Sequence, residues 1–476
     1  MERQQQFKYK EASITSSRLP DFFIDIKPMI VELVVFEALD KPYITGQIAI
    51  SDDKAIFDGL SFSGTEKLKI KMLTELSDAE NGETVMDREF ILTGIDTAVK
   101  SSNSGQSSIY VLSFMDEHAV VSKSKLISRA IKDDLKIEIL KLVGNECGKD
   151  VDLSYIEETP PGKHGDGTPA TPIIKTNFKG IIPYMHPLEA AQWLVSKSAT
   201  QLGMPVFLYA SIHDEKIRLG TLEKMLQQKA WNDQIPYLFS PSNTQKQEEN
   251  PNPDFQYFQV QTMKTSKIQN TMKQLMAGGL GARYTVTDLS NGRTTSQHFS
   301  FFRSLGKADE AGVIDITKQN VYNDLYKTPD IDLELSNGST VNIEGDYLHN
   351  LDAQAYHKVV SRGVYGDKKS LHDEVNSGNY LKEVEASAYR NAIFKNMFDV
   401  TVPGPGFIRS EGSVGDKIRI NVLSDDNDPD SPQPLDALRS GDFIIYNTRH
   451  TFKDTRHDVA MTVFKFEKGP NDEVFE

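Results

Sequence analysis

The stretch Leu68–Met72 reads LKIKM, so lysines alternate with apolar side chains. Successive side chains of a β-strand point to opposite faces, and this pattern predicts a strand with its apolar face buried and its lysines in water. Similar runs surround it and predict strands at Phe22–Ile26, Met29–Phe36, Gly46–Ile50, Glu89–Ile95 and Ser108–Phe114. Because short polar turns join these runs, the N-terminal part is predicted to form a small antiparallel β-barrel or sandwich.

The C-terminal part of the sequence returns to the same β pattern. Lys417–Val422 reads KIRINV and alternates along its whole length. The strand predicted at Asp442–Thr448 is expected to pair with Val459–Phe466 across the turn Asp454-Thr455. The two ends of the chain are therefore both predicted to be β structure.

Between these two β parts, apolar residues recur at helical spacing. The spacing predicts two helices within Ser122–Cys147, a helix that begins at Pro187, and a long helix at Asn379–Phe398. A hairpin is predicted at Phe207–Leu219, whereas residues 305–378 are acidic and irregular and give no prediction. The predicted fold class is mainly β with α+β insertions.

Length and charge exclude several classes of protein. The 476 residues leave room for about three domains. Asp and Glu number 68 against 53 Lys and Arg, a net charge of -15, which disfavours a general nucleic-acid binder and stable binding to anionic membranes. We therefore do not expect the chain to bind nucleic acid or an anionic membrane stably.

The cysteine count and the N-terminus bear on the compartment. Cys147 is the single cysteine, so no intrachain disulfide can form, and its apolar-periodic surroundings predict a small buried side chain. Met1–Pro20 is polar and lacks the apolar core of a secretory signal. No stretch approaches the roughly 20 apolar residues of a membrane span. These features predict folding in a reducing, soluble compartment.

Two loops resemble ligand-binding motifs but depart from them. Gly278–Gly281 follows a predicted helix and precedes a predicted strand, whereas a phosphate loop follows a strand and opens a helix. Asp425–Asp430 is rich in carboxylates, yet Ser431 stands where a calcium loop needs its turn glycine, and Ala437 where it needs its bidentate glutamate. A helix end and a solvated loop are the favoured interpretations.

A survey for catalytic groups is also negative. No His-Glu-x-x-His pair occurs, and His450 and His457 flank a predicted turn, where structural or surface roles are favoured. Gly59–Ser63 fails the last position of a nucleophile elbow, and Trp193 and Trp231 alone make a poor sugar-stacking platform. The sequence therefore predicts no catalytic, cofactor-binding or metal-binding residues, no cofactor and no enzyme activity, and it favours a role in assembly.

Three groups of residues occur in an order typical of one family. The first comprises Val34–Leu39 and Pro42–Asp52, with Phe57, Leu60, Gly64, Glu66 and Leu68. The second comprises Ile182-Pro183, Pro187–Ala190 and the Phe207–Leu219 hairpin. The third comprises Val400–Gly404, Val414–Ile418, Ser440–Ile445 and Arg449–Phe452, with the closing strand to Phe466. Together, over about half of the chain, they resemble the central hub protein of T4-like contractile phage tail baseplates.

The resemblance implies two tail-tube-like antiparallel β-barrels in one chain, the second of them discontinuous. On this sequence the first barrel would occupy residues 1–118 and the second residues 204–225 and 398–476. Residues 119–203 would be a helical insertion, and residues 226–397 a long mixed insertion domain. The acidic section of the latter, residues 305–378, matches no pattern of the family. The insertions would lie at the periphery.

The resemblance also implies a function and a set of partners. A hub forms a homotrimeric ring that adapts the hexameric tail tube to the trimeric central spike and surrounds the channel for DNA ejection. Its expected partners are its own copies, the spike, the tail tube or tube-initiator protein and the baseplate wedge proteins. Its expected location is the virion tail baseplate, after assembly in the host cytoplasm.

Three alternatives remain open at this point. The hub part of a type VI-like injection spike usually continues into an oligosaccharide-fold module and a repetitive β-helix, and no such repeat precedes Glu476. A tail-associated cell-wall hydrolase would need a positioned carboxylate pair or a metal set. A receptor or glycan adhesin would act at fibre tips rather than on the tail axis.

Overall fold

The fold was obtained as a computed structural model of the chain. It describes residues 6–16, 18–53, 64–74, 84–100, 108–131, 134–156, 180–240, 255–265, 281–288, 292, 294–314, 331–334, 336–343, 355–360, 377–393, 397–408, 412–424, 435–436 and 439–467. The predicted fold class is confirmed, because the chain is mainly β with large antiparallel sheets.

Strands are numbered here in chain order. They are β1 Phe7–Ser16, β2 Leu19–Asp25, β3 Ile30–Ala38, β4 Thr45–Asp52, β5 Lys67–Thr74, β6 Thr84–Lys100, β7 Ser108–Asp116, β8 Ala130–Ile131, β9 Val151–Asp152, β10 Gly180–Ile181, β11 Val206–Ala210, β12 Ile217–Thr221, β13 Tyr237–Phe239, β14 Thr262–Thr265, β15 Gly281–Asp288, β16 Thr294–Ser300, β17 Ile331–Glu334, β18 Thr340–Ile343, β19 Ala355–Val360, β20 Met397–Pro403, β21 Lys417–Val422, β22 Gly441–Lys453 and β23 Arg456–Phe464. The strands predicted at both ends of the chain are present, and β21 has the predicted bounds.

Helices are numbered in the same way. The α-helices are α1 Glu117–Lys123, α2 Leu135–Lys141, α3 Pro187–Lys197, α4 Leu222–Gln227, α5 Phe301–Glu310, α6 Ser377–Ile393 and α7 Gly404–Ile408. Helical turns of other types occur at Lys27–Met29, Leu142–Glu146 and Phe255–Phe258. The helix predicted at Asn379–Phe398 is shorter than expected, because Met397 already belongs to β20 and pairs with Phe464.

A 13-stranded sheet joins the two ends of the chain. Its order is β14-β20-β23-β22-β3-β4-β7-β6-β5-β1-β2, and β21 and β13 extend it from β22. Strands β1 to β7 form one contiguous unit, here called the N-terminal unit, and the strands from β13, β14 and β20 to β23 form the C-terminal unit. Most of the buried apolar side chains of both units belong to one continuous cluster, which also includes those of α3.

Strand β22 holds the two units together by changing its neighbour along its length. Its first part pairs with β21, from Gly441 to Ile444, and its second part pairs with β3, from Asn447 to Lys453. The register shifts at Tyr446, whose carbonyl accepts a hydrogen bond from Leu39 N at 2.8 Å. Strands β21 and β3 are therefore successive neighbours along β22, which also pairs with β23.

The predicted hairpin is present as β11 and β12, but its strands do not join the sheet of the C-terminal unit. They form a three-stranded sheet with β9. All residues of both strands are buried, so apolar and polar residues do not alternate along them. The sequence therefore does not indicate which sheet these strands belong to. In the C-terminal unit, β13 and β14 take the edge positions. The domain boundaries given above stay a prediction.

Strand β1 falls within Met1–Pro20, a polar segment in which the sequence predicts no strand. Its pattern is half-buried, with Ala12 and Ile14 facing the core, and it pairs with both β2 and β5. Lysine and glutamate on its outer face give this strand a polar composition. Several predictions, among them the helix before Gly278, lie outside the described residues.

Candidate functional site

The sequence singled out few chemical residues, and the structure describes part of them. Gly59–Ser63, Gly278–Leu280 and Asp425–Asp430 lie outside the described residues. Cys147 is buried as predicted, and burial raises the pKa of its thiol to about 11. His450 and His457 do flank a hairpin turn, at which Asp454 adopts a φ of 54°. Both histidines are buried, which excludes a surface role.

A carboxylate that the sequence did not single out lies at the junction of the two units. Glu37 on β3 faces Thr448 directly across the pairing of β3 with β22. Its Oε1 accepts hydrogen bonds from Ile212 N at 2.6 Å and from Ser413 Oγ at 3.1 Å. Its Oε2 accepts one from Thr448 Oγ1 at 2.6 Å and lies 3.2 Å from His450 Nε2. Glu37 thus binds groups from β22, from the β11–β12 turn and from the segment before β21.

The two histidines extend this network into the C-terminal unit. His450 Nδ1 lies 3.2 Å from His457 Nε2, and the ring of Phe452 stacks on His457 with centroids 4.0 Å apart. Gly404 packs so closely that an added Cβ would lie 1.9 Å from His457 Nδ1. Because a carboxylate only accepts hydrogen bonds, His450 Nε2 carries the proton in its contact with Glu37. We call Glu37, Thr448, His450 and His457 the junction network.

The charges of the junction network follow from its burial and its hydrogen bonds. Burial by itself raises the pKa of Glu37, but the hydrogen bonds and charge of His450 and the Thr448 hydroxyl outweigh it and lower the pKa to about 2. Burial, with the nearby His450, holds the pKa of His457 well below its usual value. Burial raises the pKa of Asp416, next to Ser413, to about 6. At neutral pH, Glu37 is therefore an anion beside a neutral His457.

A second polar cluster fixes the β11–β12 turn to the N-terminal unit. Arg88 on β6 pairs with Asp116 at 2.8 Å and donates to Ser211 O at 3.0 Å, and both side chains are buried. Asp116 also accepts a hydrogen bond from Ile44 N at 2.7 Å. From the C-terminal side, Gly412 O lies 2.9 Å from His213 Nε2. The turn is thus held by polar groups from both units.

The second half of β6 is exposed and has one open edge. Pairing with β5 ends at Ile91, and Leu92 N donates to Glu66 O, so within the described ranges residues 93–99 have β7 as their only neighbouring strand. Val99 and Ile109 lie opposite each other across β6 and β7, and 53% and 42% of their surfaces are exposed. Ile95 is 45% exposed. An open strand edge with apolar side chains is suited to pairing with another chain.

The junction network does not have the arrangement of an active site. Thr448 Oγ1 donates to the Glu37 carboxylate, which also accepts hydrogen bonds from Ile212 N and Ser413 Oγ and is thus held in a fixed structural role. Its carboxylate and rings are fully buried, with no room for a substrate. In the part of the chain that the structure describes, no cluster of His, Cys, Asp and Glu could hold a metal ion, and no helix is long and apolar enough to cross a membrane. The network stabilises the contact between the two units of the large sheet.

Sequence reasoning missed Glu37 although a signal for it is present. The run LVVFEA places Glu37 where the alternation of β3 requires an inward side chain. An acidic residue at an inward position of an apolar strand predicts a buried partner. That partner could not be identified, because Thr448 and His450 lie about 400 residues further along the chain.

This chain is similar to known proteins in structure but not in sequence. No protein-family model and no curated protein matches the sequence. The chain is similar in structure to a tail protein from Neisseria meningitidis MC58, with 11% identity, 97% of each chain covered and a TM-score of 0.45. It is similar to the 43 kDa tail protein of prophage MuSo2 from Shewanella oneidensis, with 10% identity, 96% of this chain and 98% of that chain covered, and a TM-score of 0.44.

A third similar structure comes from a secretion system rather than from a phage tail. It is an Escherichia coli protein described as a component of the type VI secretion system with structural similarity to T4 bacteriophage tail proteins. The identity is 9%, the TM-score is 0.38, and 99% of this chain and 80% of that chain are covered. Structures similar to this chain are therefore found among phage tail proteins and type VI secretion proteins.

Proposed function

We propose that this chain is a structural subunit of a contractile phage tail, namely the hub of its baseplate. Three copies would form a ring that adapts the hexameric tail tube to the trimeric central spike and surrounds the channel for DNA. Its partners would be its own copies, the spike, the tail tube or tube-initiator protein and the baseplate wedges. It would be assembled in the host cytoplasm and would act in the virion without enzyme activity.

One observation carries this proposal, the direct pairing of β3 with β22. It joins two antiparallel units, built from opposite ends of the chain, side by side in one sheet. A ring of three such chains would contain six units, which suits a sixfold partner on one face and a threefold partner on the other. The residues that resemble hub proteins lie largely on strands of these two units.

The exposed half of β6 is the surface proposed to join neighbouring copies. Its open edge offers backbone groups, and Val99 and Ile109 offer apolar area. A strand from an adjacent subunit would satisfy the backbone and cover the apolar pair, as in other interfaces built by strand addition. Ring formation would then not disturb the junction network, which lies at the opposite edge of the N-terminal unit.

Light scattering after size exclusion tests the hub function directly. The protein would be measured alone and mixed with the spike protein of the same tail. We expect a species of three times the 53.4 kDa chain mass, alone or with the spike. A protein that stays monomeric at high concentration and never associates with spike or tube protein would contradict the hub function.

Two variants would test the proposed surface. Val99→Lys with Ile109→Lys places charges on the exposed half of β6, and we expect it to abolish association. Ile137→Lys serves as the matched control, since Ile137 is 46% exposed on α2, outside the large sheet. Equal association of both variants would exclude β6 as the contact between copies while leaving the hub function standing.

A further inference from the structure

A cavity of about 320 Å³ lies where the N-terminal unit meets two helices of the insertions. It is bounded by the turn after β3, by α3, by β11 and by α6. Most of its wall is apolar and includes Leu39, Val195, Phe207 and Ile393. Its volume falls at the lower end of the range for small-molecule sites, roughly 300 to 1,000 Å³.

One cation lines this apolar cavity. Arg390 on α6 donates from Nη2 to Val195 O at 3.2 Å and to Val206 O at 3.1 Å. Its guanidinium carbon lies 6.0 Å from the centroid of the Phe207 ring. Nε and Nη1 have no acceptor within the described ranges, and no described carboxylate forms an ion pair with this side chain. Two edges of the guanidinium therefore keep their donors available.

Charge and burial make this arrangement costly without a partner. Burial lowers the pKa of Arg390 to about 10, so the side chain remains a cation at neutral pH. Glu383, which pairs with Lys197, also attracts Arg390 electrostatically, but it forms no direct ion pair with it among the described contacts. A carboxylate that accepts two N–H groups of arginine would offset the remaining cost of burying the cation. An anion of planar, forked shape would therefore complement the open edges of the guanidinium.

The other polar side chains of the cavity already have hydrogen-bond partners. The Tyr446 hydroxyl forms a hydrogen bond with the Asp40 carboxylate. Gln192 Nε2 donates to Asp40 O, and Ser196 Oγ donates to Trp193 O at 2.7 Å. A ligand would therefore meet open donors at Arg390, with the Asp40 carboxylate held by Tyr446 and an apolar wall over most of the remaining surface.

We propose that this cavity binds a carboxylate carried on an apolar body. The carboxylate would accept N–H groups from Arg390, and the apolar body would pack against Phe207, Leu39 and Ile393. A free organic acid and the carboxyl end of a peptide share this chemistry. The inference rests on the cavity alone and is independent of the proposed function.

Calorimetric titration of the full chain tests the ligand class. The probes are 3-phenylpropionate and its neutral amide, which differ in charge but hardly in shape. Since a charge-assisted hydrogen bond outweighs a neutral one, we expect the dissociation constant of the acid to be lower by about tenfold or more. Equal affinity of the two probes, or no binding of any carboxylate probe at millimolar concentration, would overturn the proposal.

Variants locate the binding without relying on Arg390 alone. Arg390→Gln should weaken the acid about tenfold and leave the amide unchanged. Ser196→Phe should block the mouth of the cavity, since Ser196 is exposed at its rim. Ser124→Phe is the matched control, because Ser124 is also exposed and also donates to the carbonyl three residues earlier at 2.7 Å. Identical binding by the two phenylalanine variants would place the site elsewhere and refute the proposal.

A peptide probe separates the two sources of the carboxylate. A tripeptide that ends in phenylalanine would be compared with the same tripeptide amidated at its end. Binding of 3-phenylpropionate supports a free organic acid, whereas selective binding of the tripeptide acid supports the end of a partner chain. Both results support the carboxylate site, and its absence with both acids counts against it.

Discussion

The junction of β3 with β22 and the exposed half of β6 are two edges of the same N-terminal unit, and they differ in almost every respect. At the junction, a buried carboxylate accepts hydrogen bonds from three parts of the chain. At β6, apolar side chains face solvent and the backbone lacks a neighbour on one side within the described residues. The first edge is closed within the chain, and the second is suited to closure by another chain.

This difference shows how a sheet protein separates stability from assembly. Removing a buried charge that has all its hydrogen bonds strongly destabilises the fold, because its former partners stay buried without hydrogen bonds. An exposed edge contributes little to the folded monomer, so it can be optimised for another molecule. Substitutions at the junction should therefore destabilise the fold. Substitutions on the exposed half of β6 should weaken association and leave the stability of the fold nearly unchanged.

The largest effect is expected for Glu37→Ala. It leaves Thr448, Ser413 and Ile212 N without their buried acceptor, and we expect a loss of about 3 to 5 kcal/mol in the free energy of unfolding. Glu37→Gln, which keeps the shape and one acceptor oxygen, should lose less. Urea unfolding measures both, with Glu32→Ala, on the less buried face of the same strand, as control. If Glu37→Ala and Glu32→Ala lowered the free energy of unfolding equally, the junction network would contribute no more to stability than a partly exposed side chain of the same strand.

The next effect concerns pH. The pKa of Glu37 is lowered from its usual 4.5 to about 2 in the folded chain. A lowered carboxyl pKa contributes stability that is fully present above pH 4.5 and is lost as pH falls towards 2, which here corresponds to about 3 kcal/mol. We expect the stability difference between the natural protein and Glu37→Gln to shrink by about this amount over that range.

His457 adds a loss of stability that begins at higher pH. Its pKa is held well below the usual 6.5, so the unfolded chain binds a proton that the folded chain does not, and stability falls as pH drops below 6.5. Both proteins compared keep this histidine, so its contribution is common to them. Urea unfolding at a series of pH values gives the difference in the free energy of unfolding between the natural protein and Glu37→Gln. A difference that does not change with pH would contradict an ionised Glu37.

A smaller effect is expected for Gly404→Ala. The added Cβ would overlap the buried His457 ring, and we expect a loss of about 1 to 3 kcal/mol as the ring or α7 shifts. Gly306→Ala is the control, because Gly306 lies within α5 and an added Cβ there meets nothing within 4 Å. Removing this helical glycine should stabilise slightly, by about 0.5 to 1 kcal/mol. Thermal unfolding of both variants decides whether the close packing at His457 matters.

The smallest effect on folding is expected at the other edge. Ile109→Lys replaces an exposed side chain and should change the free energy of unfolding by less than about 0.5 kcal/mol. The same substitution should weaken association of copies in light scattering, because it places a charge in the proposed contact. A large loss of folding stability would show that this edge is already closed within the chain.

Sequence patterns located most strands of the large sheet and failed at places where tertiary contacts decide. The alternation of Leu68–Met72 and of Lys417–Val422 predicted β5 and β21, because each strand has one buried face. The β11–β12 hairpin was found, but its sheet was not, since side chains buried on both faces carry no alternation. Strand β1 is not predicted from the sequence, because the lysine and glutamate on its outer face make this segment polar.

The candidate site was less accessible to sequence reasoning than the fold. His450 and His457 were weighed as structural residues, and their burial agrees with that interpretation. The sequence pattern does not identify Glu37 or Arg390 as part of a site, and the position of Arg390 on α6 does not indicate a cavity. Both residues matter because of neighbours that are distant along the chain.

The sequence by itself determined the β character of the two ends, the hairpin between β22 and β23 and the helical spacing of the insertions, because these depend on neighbours a few residues apart. Only the tertiary structure decided that β22 leaves β21 at Tyr446 and joins β3, that Glu37 lies under that contact, and that Arg390 lines an apolar cavity. The physical reason is that a strand edge carries the same backbone donors and acceptors along any strand. The choice of neighbour is made by packing and by buried partners that can be identified only once the chain has folded.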